Sequence, residues 1–492
     1  MINHVTCLCC AVLGLSQATL RAAEPARPNI LLVLTDDQGW PTLGCYGSRH
    51  VPTPHLDRLA SEGIRFTDAY VMPQCTPTRA ALLTGQHTAR NGMWHVIPWY
   101  GLPWARMQEP AFREQLPREW PTLPKVLRQA GYATGMAGKW HLTTNADGDY
   151  VQLEAADAHG FDFVAPRGPV SQNEGDKWVN HLTDSAIDFV RTHLDKPWFF
   201  YLAHHTLHGV VSAPAELVHK HREAGAPESG HFNATYLAAI EHLDASVGRL
   251  MSALEEVQQR ENTLVIVLSD NGGVDSVCEP PSLRGEPTDG SVPLFVKSFE
   301  FDNTPLRAGK GSPYEGGIRV PCLVRWPAQV KAGLVCSTPV HVTDWMPTLL
   351  AAAGIDVDAP VCDGVSLLPL LRGETIPPRP LYFYMPLYDL RWAATPCAVI
   401  REGDWKLIEH FGDSFDTNRN YQPGRKLELF NLRDDPGETR DRSAAERAIA
   451  EALSDKLHAW LTSVSAPVPA ENPHFDAQRM LKETKQKQPW NR

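Results

Sequence analysis

Asn29-Ile30-Leu31-Leu32-Val33-Leu34-Thr35 is apolar from its second residue to its sixth and halts at Asp36-Asp37. A short apolar run without alternation predicts a strand buried on both faces, as in a parallel sheet. Thr263-Leu264-Val265-Ile266-Val267-Leu268-Ser269 repeats the pattern and halts at Asp270-Asn271-Gly272-Gly273. Trp198-Phe199-Phe200-Tyr201-Leu202-Ala203 halts at His204-His205, with His208 just beyond, and the weaker Ala133-Thr134-Gly135-Met136-Ala137 runs into Gly138-Lys139-Trp140-His141. Helical stretches separate these runs, so the first three-quarters of the chain reads as an α/β fold with a largely parallel sheet. Four strands thus bring carboxylate, amide, imidazole or ammonium groups to their C-terminal ends, the edge at which open α/β sheets form their sites.

A second stretch supplies a candidate nucleophile. Cys75-Thr76-Pro77-Thr78-Arg79 leads into Ala80-Ala81-Leu82-Leu83-Thr84-Gly85, an apolar helix that the glycine can end. Pro77 suits a first helical turn, where its missing N–H costs nothing. Cys75 then sits at the positive end of the helix dipole, and Arg79 returns to the same face four residues on.

The strand ends divide into two chemical sets. Asp36, Asp37, Asp270 and Asn271 are short oxygen donors, three of them acidic; gathered at neighbouring strand ends they repel unless a cation sits among them. All-oxygen ligation favours calcium or magnesium over zinc. Lys139, His141, His208 and Lys310, the last in the glycine-rich Arg307-Ala308-Gly309-Lys310-Gly311-Ser312, form with Arg79 a cationic set suited to a tetrahedral anion or its ester. Taken one at a time, each of these residues reads more simply as a capped turn, a solvated lysine or a structural histidine; their joint placement is what points to a site.

Beyond the sheet, Asn233 to Gln258 reads as one long amphipathic helix, and Pro377-Pro378 marks a boundary near residue 378. Ala398–Arg401, Trp405–Ile408 and Leu427–Phe430 read as a small antiparallel sheet, with Ile449, Leu453, Leu457, Trp460 and Val464 on a covering helix. Residues 466–492, rich in proline, lysine and glutamine, read as a tail. The near-uncharged Val5–Leu20 followed by Ala22-Ala23 reads as a cleavable secretory signal over 1–23, so the expected organisation is 24–378 catalytic and 379–465 C-terminal, in a secreted or periplasmic protein. No other apolar run is long enough to span a bilayer. A net charge of −11, with no lysine/arginine block, argues against a nucleic-acid partner. Outside the signal and Cys75, six cysteines remain (Cys45, Cys278, Cys322, Cys336, Cys362 and Cys397), with no zinc-type spacing and no readable connectivity.

With these residues in hand, the chain resembles the type I, formylglycine-dependent sulfatases of the alkaline-phosphatase superfamily, of the arylsulfatase and N-acetylgalactosamine-6-sulfatase kind. The resemblance spans roughly residues 28–465 and is carried jointly by Asp36-Asp37, Cys75 to Gly85, Gly138-Lys139-Trp140-His141-Leu142, Ser269-Asp270-Asn271-Gly272, Tyr314-Glu315-Gly316-Gly317-Ile318-Arg319-Val320-Pro321, and Glu428–Leu432 with Asp434–Glu438. It implies a large mixed, mostly parallel sheet flanked by helices, with a smaller C-terminal domain holding a short antiparallel sheet and a helix. It further implies that a maturating enzyme oxidises Cys75 to formylglycine (3-oxoalanine), whose hydrate supplies the nucleophile. Arg79 and Lys139 would hold this residue. One calcium ion would be bound by Asp36, Asp37, Asp270 and Asn271 together with modified Cys75. In this scheme His208 or Lys310 protonates the leaving oxygen and His141 deprotonates the second hydroxyl to expel sulfate.

Two departures from the family pattern stand out. Thr78 replaces a usual serine, and no proline follows the histidine segment, which leaves His205 a competitor to His208. Trp94, Trp99, Tyr100, Trp104 and Trp120 read either as a sugar-stacking wall or as an ordinary packed loop; 274–309 and 411–425 are other candidate walls. A sulfated carbohydrate is the expected substrate, ahead of an aryl sulfate. A phosphonate or phosphodiester hydrolase, and an inactive glycan-binding protein, are the alternatives.

Overall fold

The computed structural model describes residues 27–97, 101–143, 156–166, 168–169, 175–275, 301–355, 362–416 and 420–485. The export signal at 1–23, Trp99, Tyr100, Cys278, most of the 274–309 wall and 417–419 of the 411–425 wall lie outside these residues.

The strands of the large sheet are β1 (Asn29–Thr35), β2 (Ile64–Tyr70), β3 (Ala133–Gly138), β4 (Phe163–Val164), β5 (Trp198–Ala203), β6 (Thr263–Ser269), β7 (Arg319–Arg325), β8 (Leu334–Cys336) and β9 (Val340–His341). Their order is β9-β2-β7-β6-β1-β5-β3-β4, with β8 also on β2. β7 pairs antiparallel with both its neighbours, and the other pairs are parallel. The sheet is therefore mixed and mostly parallel. β1 lies centrally, and its unbroken apolar character follows from what covers it. Ile30, Leu32 and Leu34 pack on one face with Ala80–Leu83, Leu123, Leu127 and Trp345. Leu31 and Val33 pack on the other with Leu182, Ala186, Val247 and Leu250. Alternate residues feed two cores, so neither parity is free to be polar.

The long helix runs Ala234–Glu256, and Asn233 caps it by accepting from the Tyr236 N–H at 3.0 Å. A four-stranded antiparallel sheet follows, in the order Leu381–Met385, Cys397–Glu402, Trp405–His410, Lys426–Asn431. One face is covered by the helix Arg447–Ser463 through Leu453, Leu457 and Leu461. The other packs Phe383, Val399 and Phe430 on Tyr70, Met72 and Ile318 beside the large sheet. Lys406 is buried there between Glu315 and Glu438, at 3.0 and 2.8 Å.

The expected tail differs. Ala470–Glu471 pairs antiparallel with Met107–Gln108, Asn472 Nδ2 donates to the Pro103 and Ala105 carbonyls at 2.8 and 2.7 Å, and a helix spans Ala477–Lys485 with Met480 fully buried. A polar, proline-rich segment is ordered here by edge pairing and side-chain capping, neither of which leaves a periodic apolar pattern. Among the described residues, Cys45, Cys75, Cys322, Cys336, Cys362 and Cys397 are free thiols, and no helix is long and apolar enough to cross a membrane.

Glu62 ties three elements together. It accepts from Arg58 Nε at 2.6 Å, Arg260 Nη2 at 2.6 Å and Arg325 Nε at 2.8 Å. Burial alone would raise its carboxyl, but the three guanidinium bonds outweigh this and hold it down at about 2. A carboxylate whose pKa is depressed on folding adds stability above its unfolded pKa and loses it as pH falls through the folded value. Glu62→Gln is therefore expected to cost about 1 to 2 kcal/mol at pH 7, allowing for its partial exposure. The corresponding drop in melting temperature should shrink as pH falls from 4.5 toward 2; an equal deficit at pH 7 and pH 3 contradicts this account.

Candidate active site

Register places the site. Thr35 pairs with Ser269, Leu34 with Ala203, and Gly138 with Ala203, so four strands end within one residue of one another. The ladder continues one rung further: Asp270 N donates to Thr35 O at 3.0 Å, His204 N to Leu34 O at 2.9 Å and Lys139 N to Ala203 O at 2.8 Å. The first polar residues after the apolar runs are thus held by sheet hydrogen bonds. Gly138 permits this close approach, since its φ is +98° and a Cβ there would stand 1.9 Å from the Ala203 carbonyl oxygen.

Cys75 begins the helix Cys75–Thr84, every residue of which is buried, and Gly85 in left-handed geometry ends it by donating to Ala81 O. The thiol lies 3.9 Å from Asp36 Oδ1 and 3.5 Å from Lys310 Nζ. Burial pushes it up to about 11 against the pull of Lys139 and Lys310, so the encoded thiol is protonated and inert at neutral pH. Thr78, the residue that departs from the family pattern, turns its hydroxyl away to Met72 O at 3.0 Å.

Arg79 has a structural posture. Its Nε and Nη2 donate to Asp270 Oδ2 at 3.1 and 2.7 Å, and Nη1 to Lys139 O at 2.8 Å, with no exposed surface. It fixes the cysteine helix to two strand ends and faces carboxylate, not solvent. Lys139 Nζ meets Asp36 Oδ2 at 2.5 Å. Lys310 Nζ meets Asp37 Oδ1 and Oδ2 at 2.6 and 2.9 Å. Its loop is stitched on both sides, Lys310 N to Gly273 O and Gly311 N to Pro73 O.

The electrostatics divide the carboxylates. Burial pushes Asp36 up, but Lys139, His208, Arg79 and Lys310 together carry it well below its usual range. Burial and Asp36 raise Asp270 to about 6, and burial raises Asp37 as well. Such a set is frustrated without a further positive charge. Asp36, Asp37, Cys75 and Asp270 each offer a donor atom, all within 4.8 Å of one another. Asn271 donates to Asp37 Oδ1 at 2.7 Å, while its own Oδ1 is buried with no hydrogen-bond donor. An orphaned acceptor beside clustered carboxylates suits a hard cation.

The histidines separate by position. A ring nitrogen of His208 lies within 4.8 Å of donor atoms on Asp36 and Cys75, whereas His205 packs edge-on to Trp178 with ring centroids 5.2 Å apart. His141 Nε2 bonds the Ile97 carbonyl at 2.9 Å; a carbonyl only accepts, so Nε2 carries the hydrogen and Nδ1 is the basic nitrogen. Burial, followed by nearby ammonium groups, pulls both His141 and His208 well below 6.5.

Sequence reasoning did not find several supports. Gln74 Nε2 donates to Asp389 Oδ2 at 3.0 Å, and Asp389 also holds Arg391 through Nε at 2.7 Å and Nη2 at 2.5 Å. Trp392 lies against Gly311, where a Cβ would come 2.1 Å from its Cδ1. A C-terminal segment thus flanks both Cys75 and Lys310. Lys177 is buried and donates to the carbonyls of His208 and Val210. These residues sit in irregular connections and a single 3-10 turn (Leu390–Trp392) with no motif; only their apposition in three dimensions reveals them. The aromatic wall also resolves in part: Trp94 packs in the core edge-on to Tyr384, and Trp104 is buried beneath Arg479. Neither presents a face to a sugar.

The family model described as Sulfatase matches residues 28–355, and one described as N-sulphoglucosamine sulphohydrolase, C-terminal, matches 309–466. Arylsulfatase A of Homo sapiens is 33% identical over 410 residues, covering 75% of this chain and 72% of the relative. N-acetylgalactosamine-6-sulfatase of Canis lupus familiaris is 31% identical over 415 residues, covering 76% and 72%. The crystal structure of Ps i-CgsB superposes with a TM-score of 0.68 at 25% identity, covering 94% of this chain and 99% of that one; the same protein has been solved in complex with k-i-k-neocarrahexaose.

The cation reading makes a prediction independent of turnover. Added Ca²⁺ or Mg²⁺ should raise the melting temperature, by the equivalent of about 2.7 kcal/mol at a hundredfold excess over Kd, and chelator should reverse the rise. Asp37→Asn should abolish most of the shift. A melting curve indifferent to both ions removes the cation site.

Proposed function

Because the chain belongs to the sulfatase family, as a type I sulfatase of the alkaline-phosphatase superfamily, we propose that it removes sulfate from a sulfated carbohydrate, with formylglycine at position 75 and one calcium ion. The observation that carries this reading is the convergence of Asp36, Asp37, Cys75 and Asp270 within 4.8 Å, beside Lys139 and Lys310 and the unpartnered Asn271 Oδ1. The glycan part is supported by the similarity to N-acetylgalactosamine-6-sulfatase and to Ps i-CgsB, solved with an oligosaccharide. The match over 28–355 and the boundary at Pro377-Pro378 support a catalytic unit over 24–378. The apolar Val5–Leu20 supports export to the periplasm or medium.

Asp36, Asp37, Asp270, Asn271 and residue 75 would hold the calcium. Bound there, a calcium ion would supply polarisation of a sulfate oxygen, and a formylglycine hydrate at position 75 would supply the nucleophilic oxygen. The other residues then have distinct tasks. Lys139 and Lys310 hold the anionic sulfate in place, and Lys310 stays protonated because Asp37 pairs with it. Arg79 holds Asp270 by Oδ2 and favours its ionised form, and Asp270, within 4.8 Å of the residue-75 donor atom, assists deprotonation of the attacking hydroxyl. His208, whose Nδ1 is held by the Gly209 carbonyl at 2.8 Å, donates a proton to the departing alcohol oxygen from its imidazolium form, which the bound anionic sulfate favours against the burial and the lysines that otherwise keep the ring neutral. His141, with Nε2 bound to Ile97, accepts a proton at Nδ1. A dedicated maturating enzyme supplies the oxidation, since a buried, protonated thiol does not oxidise unaided.

Mass spectrometry of the tryptic peptide ending at Arg79 should show an aldehyde in protein from a maturation-competent host; an unshifted cysteine rules the formylglycine mechanism out. In parallel, defined sulfated oligosaccharides should lose sulfate with the matured enzyme and not with Cys75→Ala. Faster turnover of phosphate or phosphonate esters than of sulfate esters would reject the substrate assignment.

A further inference from the structure

Lys177 lies outside the motifs and outside the metal set, yet it is among the most enclosed charges of the site. It is 2% exposed, and its ammonium donates to the His208 carbonyl and, at 2.7 Å, to the Val210 carbonyl. Both Lys177 and Trp178 adopt left-handed backbone geometry, with φ of 55° and 64°. That conformation is costly for non-glycine residues and persists only where the surroundings impose it. Its effect is to deliver two adjacent side chains to one target: Lys177 takes the carbonyls on either side of Gly209, and Trp178 meets the His205 ring. The segment 204–210 leaves the sheet at Ala203 and carries the histidine that reaches Cys75. It has no helix or strand of its own, and its backbone bonds to Asp36 are made by Thr206 and Leu207, ahead of His208. Keeping an ammonium buried is expensive, and burial pulls Lys177 down to about 8.

We propose that Lys177 is a positioning residue for general-acid catalysis: by clamping the carbonyls of His208 and Val210 it fixes the His208 imidazole at the place of the departing oxygen. This rests on the reading of His208 as proton donor to the leaving group.

Proton donation matters most when the leaving group is poor, which gives a readout that a merely structural role would not move. With enzyme matured by a formylglycine-generating partner, Lys177→Met should lower kcat on an alkyl or sugar sulfate about 10²-fold and leave 4-nitrophenyl sulfate within about fivefold. The dependence of log kcat on leaving-group pKa should steepen. Lys177→Arg, which keeps two donors on a long side chain, should restore most of the loss. In the Lys177→Met/His208→Ala pair, the second change should add almost nothing to the first. If Lys177→Met does not fold, Lys177→Gln, with its shorter reach, supplies the same readouts.

Equal losses on both substrates, or additive losses in the double variant, overturn the proposal while leaving His208 in place. If His208→Ala is itself indifferent to the leaving group, the assignment of His208 falls, and the role of Lys177 falls with it.

Discussion

Three carboxylates and three permanent cations are confined at the end of one sheet with almost no access to water, and the architecture around them answers that problem. Desolvating such charges is costly unless each is paired and hydrogen-bonded. The main pairs come from different parts of the chain, Arg79 on Asp270, Lys139 on Asp36 and Lys310 on Asp37, and Arg79 also reaches Asp36 at 3.5 Å. The pairing leaves one acceptor, Asn271 Oδ1, unsatisfied and two acids raised above their ordinary values. The remaining imbalance is the opening for a cation and an anionic substrate. A fully neutral cluster would be better folded and chemically idle.

The C-terminal part enters this arrangement as a structural necessity. Its sheet buries Phe383, Val399 and Phe430 against Tyr70, Met72 and Ile318 beside the large sheet, and Lys406 locks Glu315 beside it. Glu315 precedes Gly316-Gly317, and Gly272 packs so tightly on this pair that a Cβ there would stand 1.7 Å from the Gly316 carbonyl oxygen. The turn carrying Asp270 and Asn271 therefore leans on a segment that the C-terminal sheet holds still. From the other side, Asp389 and Trp392 brace Gln74 and Gly311. Both halves of the chain build one site.

The central strands were readable because burial on two faces forces an unbroken apolar run, and the runs at 29–35, 198–203 and 263–269 coincide with strands residue for residue. The candidate site residues were readable for the related reason that each ends such a run or sits in a dense motif. β2 was not, because Arg65, Thr67 and Asp68 interrupt its apolar character; Asp68 is accommodated by Arg319 and Arg401, and Arg65 lies over the Tyr46 ring. The ordering of 470–480 depends on a distant edge at Met107–Gln108, which no local pattern foretells. Trp94 and Trp104 show the limit of composition: tryptophan near a site reads alike whether it faces a ligand or fills a core. Lys177 lacks any local signal, since its meaning lies in the carbonyls it reaches.

The shared register that ends at Thr35, Ser269, Ala203 and Gly138 has a consequence for tolerance. Adjacent strand residues are about 3.3 Å apart along the chain, and a slip of one residue reverses which face each side chain occupies. Moving β6 by one place against β1 would carry Asp270 away from Arg79 by more than the length of their bond and turn Val265 and Val267 toward the wrong core. The apolar packing of the sheet and the spacing of its charges thus share a single alignment. The cores on either face act as a gauge that sets the site to a fraction of a residue, so a change deep among the valines would be felt first as a misfit among the carboxylates.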